Sequence, residues 1–230
     1  MSENPAIEIK TIAILGGTGK EGKGIAYRWA KAGYNIIIGS RDVQKAEAAA
    51  TDVASLVGNS DCVKGMENPS AASEADLVVL TVPYQAHRAM LESVAPHLEG
   101  KILIDVTVPL VPPKITRVQM PEAGSASQEA QQILGDSVSV VAAFQNVSFE
   151  NLLHEGDGNC DILVCGTSKE AREVVLAMLE KANLVGWDAG PIENSVVVEG
   201  LTSILIGLNK KYGVPSSGIR ITGINREKHS

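Results

Sequence analysis

The stretch Gly17-Thr-Gly19-Lys-Glu-Gly22 lies between an apolar run, Ile9 to Leu15, and a segment with apolar residues at helical spacing that stops at Gly33. This order predicts a strand, a glycine turn and a helix. Small residues in such a turn let the backbone approach a pyrophosphate, whose charge meets the unpaired N–H groups at the helix start. The pattern also fits an ordinary tight turn, but its place between a strand and a helix favours a dinucleotide site. The residues of this predicted site are Gly17, Thr18, Gly19 and Gly22.

Short apolar runs alternate with helical patterns along the rest of the chain. The runs are apolar on both faces, which is typical of strands in a parallel sheet that helices cover. We therefore predict an α/β fold, a Rossmann-type doubly wound parallel sheet over residues 1–150, with a smaller C-terminal lobe over residues 151–230. The further predicted strands are 35–39, 77–82, 101–106, 138–142, 161–165 and 185–188, and the further helices are one that Gly58 ends, 84–95, 127–134, 168–183 and 194–212.

The helix predicted over 194–212 has one continuous apolar stripe. A stripe at this spacing is typical of a helix that packs on a core. We expect it to be buried where the C-terminal lobe closes over the carboxyl edge of the sheet. The residues of the stripe are Val197, Leu201, Ile204, Leu205 and Leu208.

The composition excludes several classes of protein. The 230 residues include 20 Lys and Arg against 27 Asp and Glu, so the formal net charge is −7. This balance excludes nucleic-acid binding through bulk positive charge, and the three cysteines lack the spacing of a zinc site or a disulfide scaffold. The N-terminus is polar and no apolar stretch is long enough to span a membrane. We therefore expect a folded cytoplasmic protein without nucleic-acid, membrane or metal partners.

The end of the second predicted strand indicates which nicotinamide cofactor would bind. An NAD site places an acid here for the ribose, whereas this chain has Gly39-Ser40-Arg41, with Lys45 one helical turn later. These donors suit a 2′-phosphate, since charge-assisted hydrogen bonds contribute roughly 1.5–3 kcal/mol each. We predict that the 1–150 domain binds NADP(H) and not NAD(H). The alternative is that Arg41 and Lys45 are surface charges and that Asp42 caps the next helix.

Unusual residues follow three of the later predicted strands. They are Val82-Pro83-Tyr84, Thr107-Val108-Pro109 and Phe144-Gln145-Asn146. Because the carboxyl ends of parallel strands border the ligand crevice of a doubly wound sheet, we expect these segments to lie at the site. Prolines at these positions also fit a simpler role as strand terminators.

No side chain stands out as the proton donor that a substrate dehydrogenase needs. The pair Tyr27 and Lys31 has the spacing of short-chain dehydrogenases, but it lies within the first helix, and no G-x-S-x-G nucleophile elbow is present. The histidines lack metal-ligand spacing and an obvious acid partner, so we expect them at the surface or at helix ends. Hydride transfer between two stacked redox cofactors needs no such donor, so the sequence favours a cofactor-to-cofactor reductase. The histidines are His87, His97, His154 and His229.

A series of motifs follows in order from about residue 10 to residue 224. They are Gly16-Gly-Thr-Gly-Lys-Glu-Gly-Lys-Gly24, Gly39-Ser-Arg41, Asp105-Val-Thr-Val-Pro-Leu110, Ala142-Ala-Phe-Gln-Asn-Val147, Val164-Cys-Gly166, Asp188-Ala-Gly-Pro191 and Val198-Glu-Gly-Leu-Thr202. Together they resemble the NADPH:coenzyme F420 oxidoreductase family. The resemblance implies a Rossmann domain with a smaller C-terminal lobe, a homodimer, and reversible hydride transfer between NADP(H) and the deazaflavin coenzyme F420.

The resemblance also assigns residues by position. Toward NADP it places Thr18, Gly19, Ser40, Arg41, Lys45 and Pro83, with Val82 beside it, and toward the deazaflavin Val108, Pro109, Asn146, Val147, Leu201 and Thr202. Two positions depart from the family, whose members often have a histidine where Gln145 stands and an apolar residue where Glu21 stands. Glu21 would place a carboxylate near a pyrophosphate, which is tolerable if its side chain points to solvent or to a ribose.

Two other functions fit the same sequence. One is an NADPH-dependent flavin or ferric reductase, since the reductase domain of membrane ferric reductases shares the glycine turn, the Gly-Ser-Arg and an Ala-Phe-Asn-like segment. The other is a non-catalytic NADP(H)-sensing protein, which would bind NADP but leave the deazaflavin unreduced.

Overall fold

The computed structural model describes residues 8–153 and 156–224, and within them eight strands form one sheet. The strands are β1 (Thr11–Leu15), β2 (Asn35–Ser40), β3 (Val63–Glu67), β4 (Leu77–Leu80), β5 (Ile102–Asp105), β6 (Ser139–Ala142), β7 (Asp161–Gly166) and β8 (Val185–Pro191). The helices are α1 (Lys20–Lys31), α2 (Val43–Val57), α3 (Asn68–Glu74), α4 (Tyr84–Val94), α5 (Ala126–Leu134), α6 (Phe149–Leu153), α7 (Lys169–Lys181) and α8 (Ser195–Tyr212). Every strand and helix predicted from the sequence is present, and β3, α3 and α6 are additional.

The strand order is β3-β2-β1-β4-β5-β6-β7-β8. β1 pairs in parallel with both β2 and β4, with Ile12 opposite Ile36 on one side and Leu77 on the other. This reversal of order at β1 confirms the predicted doubly wound α/β fold. One junction departs from the all-parallel pattern, because β6 and β7 pair antiparallel. A parallel pair needs a long crossover, usually on a full helix, whereas the described residues between these strands form only the five-residue α6.

Helices cover both faces of the sheet. Because successive strand residues point to opposite faces, Ile14 of β1 packs in one core with Trp29 of α1. The next residue, Leu15, packs in the other core with Leu91 of α4. Burial of a side chain such as Leu91 contributes about 1.5–3 kcal/mol. The two cores hold the sheet rigidly, so the loops at its carboxyl edge are held in fixed positions.

Helix α8 packs differently from the prediction. The expectation that its apolar stripe is buried is wrong for most of the stripe, since Val197 is 67%, Ile204 52% and Leu208 38% exposed. Leu205 is buried as predicted, and the rest of the buried side is formed by Val198, Glu199, Gly200 and Ser203. An added Cβ at Gly200 would lie 3.2 Å from Cγ1 of Val118, so small residues let the loop before α5 approach the helix. The apolar face of α8 therefore points outward.

The described part of the chain forms neither a membrane-spanning helix nor a metal cluster. No helix within residues 8–153 and 156–224 is long and apolar enough to cross a bilayer. The same residues contain no group of three or more His, Cys, Asp or Glu side chains placed to hold a metal ion. The three cysteines are free thiols.

Candidate functional site

The glycines of the turn after β1 have different roles. An added Cβ at Gly17 would lie 2.6 Å from the carbonyl oxygen of Ile14, and one at Gly22 would lie 2.6 Å from the Cα of Gly17. These two positions need glycine because the turn packs against itself. At Gly19 an added Cβ would meet nothing within 4 Å. Gly19 therefore faces open space that a ligand can occupy.

The turn leads into a helix that begins without a cap. No side chain caps α1 at Gly19, whereas Asp42, Ser125 and Ser168 cap α2, α5 and α7. The first backbone N–H groups of α1 are therefore open at the positive end of the helix. Together with Gly19 they form a place for a diphosphate.

The turn lies in the middle of a cleft of about 740 Å³ at the carboxyl edge of the sheet. The lining includes Ser40 and Arg41, which end and follow β2, and Val82 and Pro83, which follow β4; β2 and β4 are the two neighbours of β1. This volume is in the range of small-molecule sites, and its place at the switch point of the sheet suits a dinucleotide. The lining includes the predicted Thr18, Gly19, Gly22, Ser40, Arg41, Val82 and Pro83, and also Glu21, Glu67, Asn68, Pro69 and Met90.

The groups near Ser40 favour a phosphate over an unmodified ribose. Asp42 accepts hydrogen bonds from the N–H groups of Gln44 at 3.1 Å and Lys45 at 3.3 Å, so it caps α2. Its other carboxylate oxygen lies 3.8 Å from the ammonium of Lys45. Arg41 is exposed and makes no hydrogen bond or ion pair within residues 8–153 and 156–224. The guanidinium of Arg41 is therefore the cation available to a 2′-phosphate.

Three hydrogen bonds connect the segments that follow neighbouring strands. The Thr107 hydroxyl donates to the Val82 carbonyl at 3.4 Å, and the Gln145 amide donates to the Asp105 carbonyl at 2.7 Å. The Thr202 hydroxyl of α8 donates to the Gln145 carbonyl at 2.6 Å. We call this series, 82–83, 105–109, 144–147 and 201–202, the strand-end row. It begins at Val82, which lines the cleft, and continues along the edge of the sheet.

A buried charged pair supports the strand-end row. His87 is fully buried and its Nε2 lies 2.7 Å from Oδ2 of Asp105, so the expectation of a surface or helix-end position without an acid partner is wrong for His87. Oδ1 of Asp105 accepts a hydrogen bond of 3.0 Å from the N–H of Thr107. Burial lowers the pKa of His87, but the hydrogen bond and charge of Asp105, with the charges of Glu129 and Glu199, raise it more. The net pKa of His87 is above its ordinary value.

His97, the other histidine among the described residues, does not line the cleft. His97 ends a short helical turn, Ala95–His97, and is half-buried. His154 and His229 lie outside the described residues.

Glu199 connects α8 to the start of α5. Its fully buried carboxylate accepts hydrogen bonds from the N–H groups of Ala126 at 2.7 Å and Ser127 at 3.0 Å, and from the Ser127 hydroxyl at 2.8 Å. Burial, and then the charge of Asp105, raise the pKa of Glu199 to about 7. No sequence pattern singles out Glu199, although it lies between Val198 and Gly200 in the motif Val198-Glu-Gly-Leu-Thr202.

Glu21 is an acid without a partner in the cleft. Its Oε1 is buried and accepts no hydrogen bond from the described residues. Burial raises the pKa of Glu21 from 4.5 to about 8. The helix dipole favours the carboxylate by only about 0.3–1 kcal/mol, which is less than one pKa unit. Burial therefore favours the protonated acid, which would carry no charge to repel a pyrophosphate.

Comparison with known proteins identifies the family. An F420-dependent NADP reductase from Methanocaldococcus jannaschii is 41% identical over 222 residues, which cover 93% of this chain and 98% of that protein. The chain belongs to the F420-dependent NADP reductase family. The family described as "NADP oxidoreductase coenzyme F420-dependent" also matches residues 11–109, which run from β1 to the segment after β5. The resemblance stated from the motifs is confirmed.

More distant matches show how widely this fold occurs. A solved structure from Arthrobacter sp. FB24 superposes with a TM-score of 0.77 at 23% identity and covers 94% of this chain and 100% of that one. The metalloreductase STEAP3 of Rattus norvegicus is 26% identical over 196 residues, which cover 84% of this chain but 36% of that protein. The metalloreductase therefore matches most of this chain with about a third of a much longer chain.

Eight of the predicted residues do not line the cleft: Gly17, Lys45, Val108, Pro109, Asn146, Val147, Leu201 and Thr202. Gly17 packs under the turn, and Lys45 pairs with Asp42 on α2. Asn146 is buried and its amide donates to the Asp161 carbonyl at 2.6 Å, so its side chain holds β7 in place. The residues predicted for the deazaflavin, Val108, Pro109, Asn146, Val147, Leu201 and Thr202, all belong to the strand-end row.

Proposed function

We propose that this chain transfers a hydride reversibly between NADP(H) and the deazaflavin coenzyme F420. One observation supports this function above all. The lining of the cleft includes both Arg41 and Val82, the first residue of the strand-end row. Proteins named for this cofactor pair match nearly the whole length of the chain. In the direction of F420 reduction, NADPH, oxidised deazaflavin and one proton give NADP⁺ and reduced deazaflavin.

The nucleotide occupies the cleft in this proposal. The open N–H groups of α1, with Thr18 and Gly19, hold the pyrophosphate. Ser40 and Arg41 hold the 2′-phosphate, with Lys45 adding positive charge nearby. Val82 and Pro83 support the nicotinamide. Gly17 and Gly22 take part by shaping the turn.

The deazaflavin lies along the strand-end row in the same proposal. Val108, Pro109 and Val147 supply mainly apolar contacts that exclude water beside the nicotinamide, and Asn146 fixes the chain that carries them. Leu201 and Thr202 bring α8 to the same place through the Gln145 carbonyl. Stacking of two flat rings at contact distance supplies the orientation that hydride transfer requires. Residues 1–150 would form the NADP-binding domain and 151–230 the lobe that closes the hydride-transfer cleft.

We further propose a cytoplasmic homodimer that pairs through the outward face of α8. Val197, Ile204 and Leu208 form this face with Tyr212, all of them at least 38% exposed. A contiguous exposed apolar face favours a self-complementary two-fold contact. Light scattering should give a dimer for the wild type and a monomer for Val197→Asp with Ile204→Asp. A wild type that stays monomeric at high concentration would exclude this dimer.

A direct absorbance assay tests the redox function. Purified protein is mixed with NADPH and oxidised F420, and we expect the deazaflavin absorbance to fall. If NADP binds but the absorbance does not change, the NADP-sensing alternative is correct. If FMN, FAD or ferric iron is reduced faster than F420 under the same conditions, the flavin or ferric reductase alternative is correct.

A further inference from the structure

Glu21 is a titratable group in the nucleotide cleft to which the hydride reaction assigns no role. It lies in the first turn of α1, two residues after the open Gly19. Its Oε1 has no hydrogen-bond partner among the described residues although it is buried. Buried carboxyl oxygens are nearly always hydrogen-bonded, so an unpaired one in a ligand cleft indicates a partner that the ligand supplies.

No nearby cation compensates a charge on Glu21. The Lys20 ammonium lies 4.8 Å from the centre of the Phe149 ring, and Lys23 pairs with Asp52 at 2.5 Å. The Arg28 guanidinium donates to the Leu152 carbonyl at 2.6 Å. Within residues 8–153 and 156–224, no hydrogen bond or ion pair reaches Glu21 from the cleft or from the helices that pack on α1. The charged groups there are Lys20, Lys23, Arg28, Lys31, Arg41, Lys45, Glu47, Asp52, Glu67 and Glu150.

We propose that Glu21 is protonated in the free protein and donates a hydrogen bond from its carboxyl O–H to a phosphate oxygen of NADP, which couples nucleotide binding to the proton on Glu21. The inference rests on the proposed position of NADP in this cleft. A protonated carboxyl is a donor, whereas the carboxylate can only accept and would repel the phosphate. By linkage, the bound phosphate strengthens the binding of the proton as much as the proton strengthens the binding of the phosphate.

The coupling has a defined sign. Where free Glu21 is already protonated, NADP binds without taking up a proton at this residue. Where free Glu21 is ionised, binding has to take up one proton. The dissociation constant should therefore be constant near pH 6.5 and rise by about tenfold per pH unit once free Glu21 ionises, near pH 8.

Calorimetric titration of the full chain with NADP⁺ measures this coupling directly. Each titration between pH 6.5 and pH 9.5 is run in two buffers of different ionisation enthalpy, and the difference gives the number of protons taken up. We expect uptake by the wild type to rise toward one proton above pH 8. The 2′-phosphate of NADP⁺ and other groups titrate equally in every variant, so the difference between wild type and Glu21→Gln isolates Glu21.

Two variants of similar size separate the donor from its charge. Glu21→Gln keeps a neutral donor, so we expect wild-type affinity at pH 6.5 and no extra proton uptake at any pH. Glu21→Leu removes the donor, so we expect affinity about 10- to 100-fold weaker than that of Glu21→Gln at every pH. Infrared spectra of the free protein should show a protonated-carboxyl band that Glu21→Gln lacks. Thermal unfolding checks that each variant is folded.

The coupling is wrong if wild type and Glu21→Gln take up equal numbers of protons, or if the wild type releases protons on binding. Equal affinity of Glu21→Leu and Glu21→Gln would exclude the hydrogen bond. F420 is absent from these titrations, so they are independent of hydride transfer. Proton-coupled NADP⁺ binding without F420 reduction would contradict the proposed function alone, whereas normal reduction with uncoupled binding would contradict this inference alone. Absence of NADP⁺ binding would contradict both.

Discussion

Replacement of Glu21 by Gln should stabilise the free protein by an amount that grows with pH. The pKa of Glu21 rises from 4.5 to about 8 on folding because the carboxyl is buried. A group whose pKa is raised in the folded state contributes its full stability to the fold below its unfolded pKa. This contribution is lost as the pH rises toward the folded pKa. Glutamine has no proton to lose, so Glu21→Gln removes this dependence.

The size of the effect follows from the two pKa values. Between them, the unfolded chain holds a carboxylate and the folded chain holds the acid, so each pH unit reduces stability by about 1.4 kcal/mol. At pH 7 the loss relative to pH 4.5 is about 3 kcal/mol for the wild type. We therefore expect the two proteins to differ little near pH 4.5 and Glu21→Gln to be the more stable by about 3 kcal/mol at pH 7.

Urea unfolding without nucleotide, followed by circular dichroism at pH 4.5, 6, 7 and 8, measures the difference. Glu47→Gln, on the exposed side of α2, is the matched control and should change stability by less than about 0.5 kcal/mol at each pH. Stability curves of wild type and Glu21→Gln that run parallel with pH would refute the reasoning, because they would mean that Glu21 keeps the same proton affinity in the folded and unfolded chain.

Four further substitutions test other parts of the site. Arg41→Ala should weaken NADPH use by about 10- to 100-fold, through the loss of one or two charged hydrogen bonds, and leave NADH use nearly unchanged; equal loss with both would show that Arg41 reads no phosphate. Gly22→Ala should lower unfolding stability by about 1–3 kcal/mol, because its Cβ meets the Gly17 backbone, whereas Gly19→Ala should keep the fold and weaken NADP⁺ binding in calorimetry. Asp105→Asn should cost about 1.5–3 kcal/mol in urea unfolding, since a neutral amide replaces the carboxylate that faces the buried His87.

The sequence predicts the central strands well because their burial leaves a plain signal. β1, β2, β4 and β5 are apolar on both faces, as strands between two helical layers must be. β3 escaped prediction because Val63-Lys-Gly-Met-Glu67 lies at the edge of the sheet and has only two apolar residues around a glycine, so it shows neither an apolar run nor a regular alternation. An added Cβ at Gly65 would lie 2.3 Å from the backbone nitrogen of Glu47, so this glycine marks close helix packing and not a turn.

Periodicity alone also failed to orient α8. The helix has apolar residues on more than one side, so the stripe of Val197, Ile204 and Leu208 is no stronger a signal than the side that is buried. Small residues decide the orientation, since Gly200 and Ser203 let a loop approach the helix. Glu199 then accepts hydrogen bonds from the N–H groups of Ala126 and Ser127 at the start of α5. The side of a helix that is buried depends on the segments that pack against it, and the pattern of apolar residues within the helix gives no information about those segments.

The backbone features of the site were easier to predict than its buried charges. The glycines and the prolines at strand ends were predicted because special conformations require particular residues. The buried charged side chains were not predicted, because their protonation depends on burial, which the sequence does not show. His87 was open to prediction, since it lies on the same helical stripe as Met90, Leu91 and Val94, which are all buried.

The buried His87 cannot act as the proton donor that a substrate dehydrogenase needs. Its ring is fully buried, its Nε2 faces Asp105, and both oxygens of Asp105 are used, one by His87 and one by the Thr107 N–H. A group that supplies a proton to a ligand has to come within hydrogen-bond distance of it, and neither side chain has an exposed surface. The pair instead fixes the backbone between Asp105 and Pro109, so it sets the position of the strand-end row. Hydride transfer without a protein acid at the reacting carbons therefore remains the consistent mechanism. The reason is that the buried acid–histidine pair cannot reach a ligand, and not that the chain lacks such a pair.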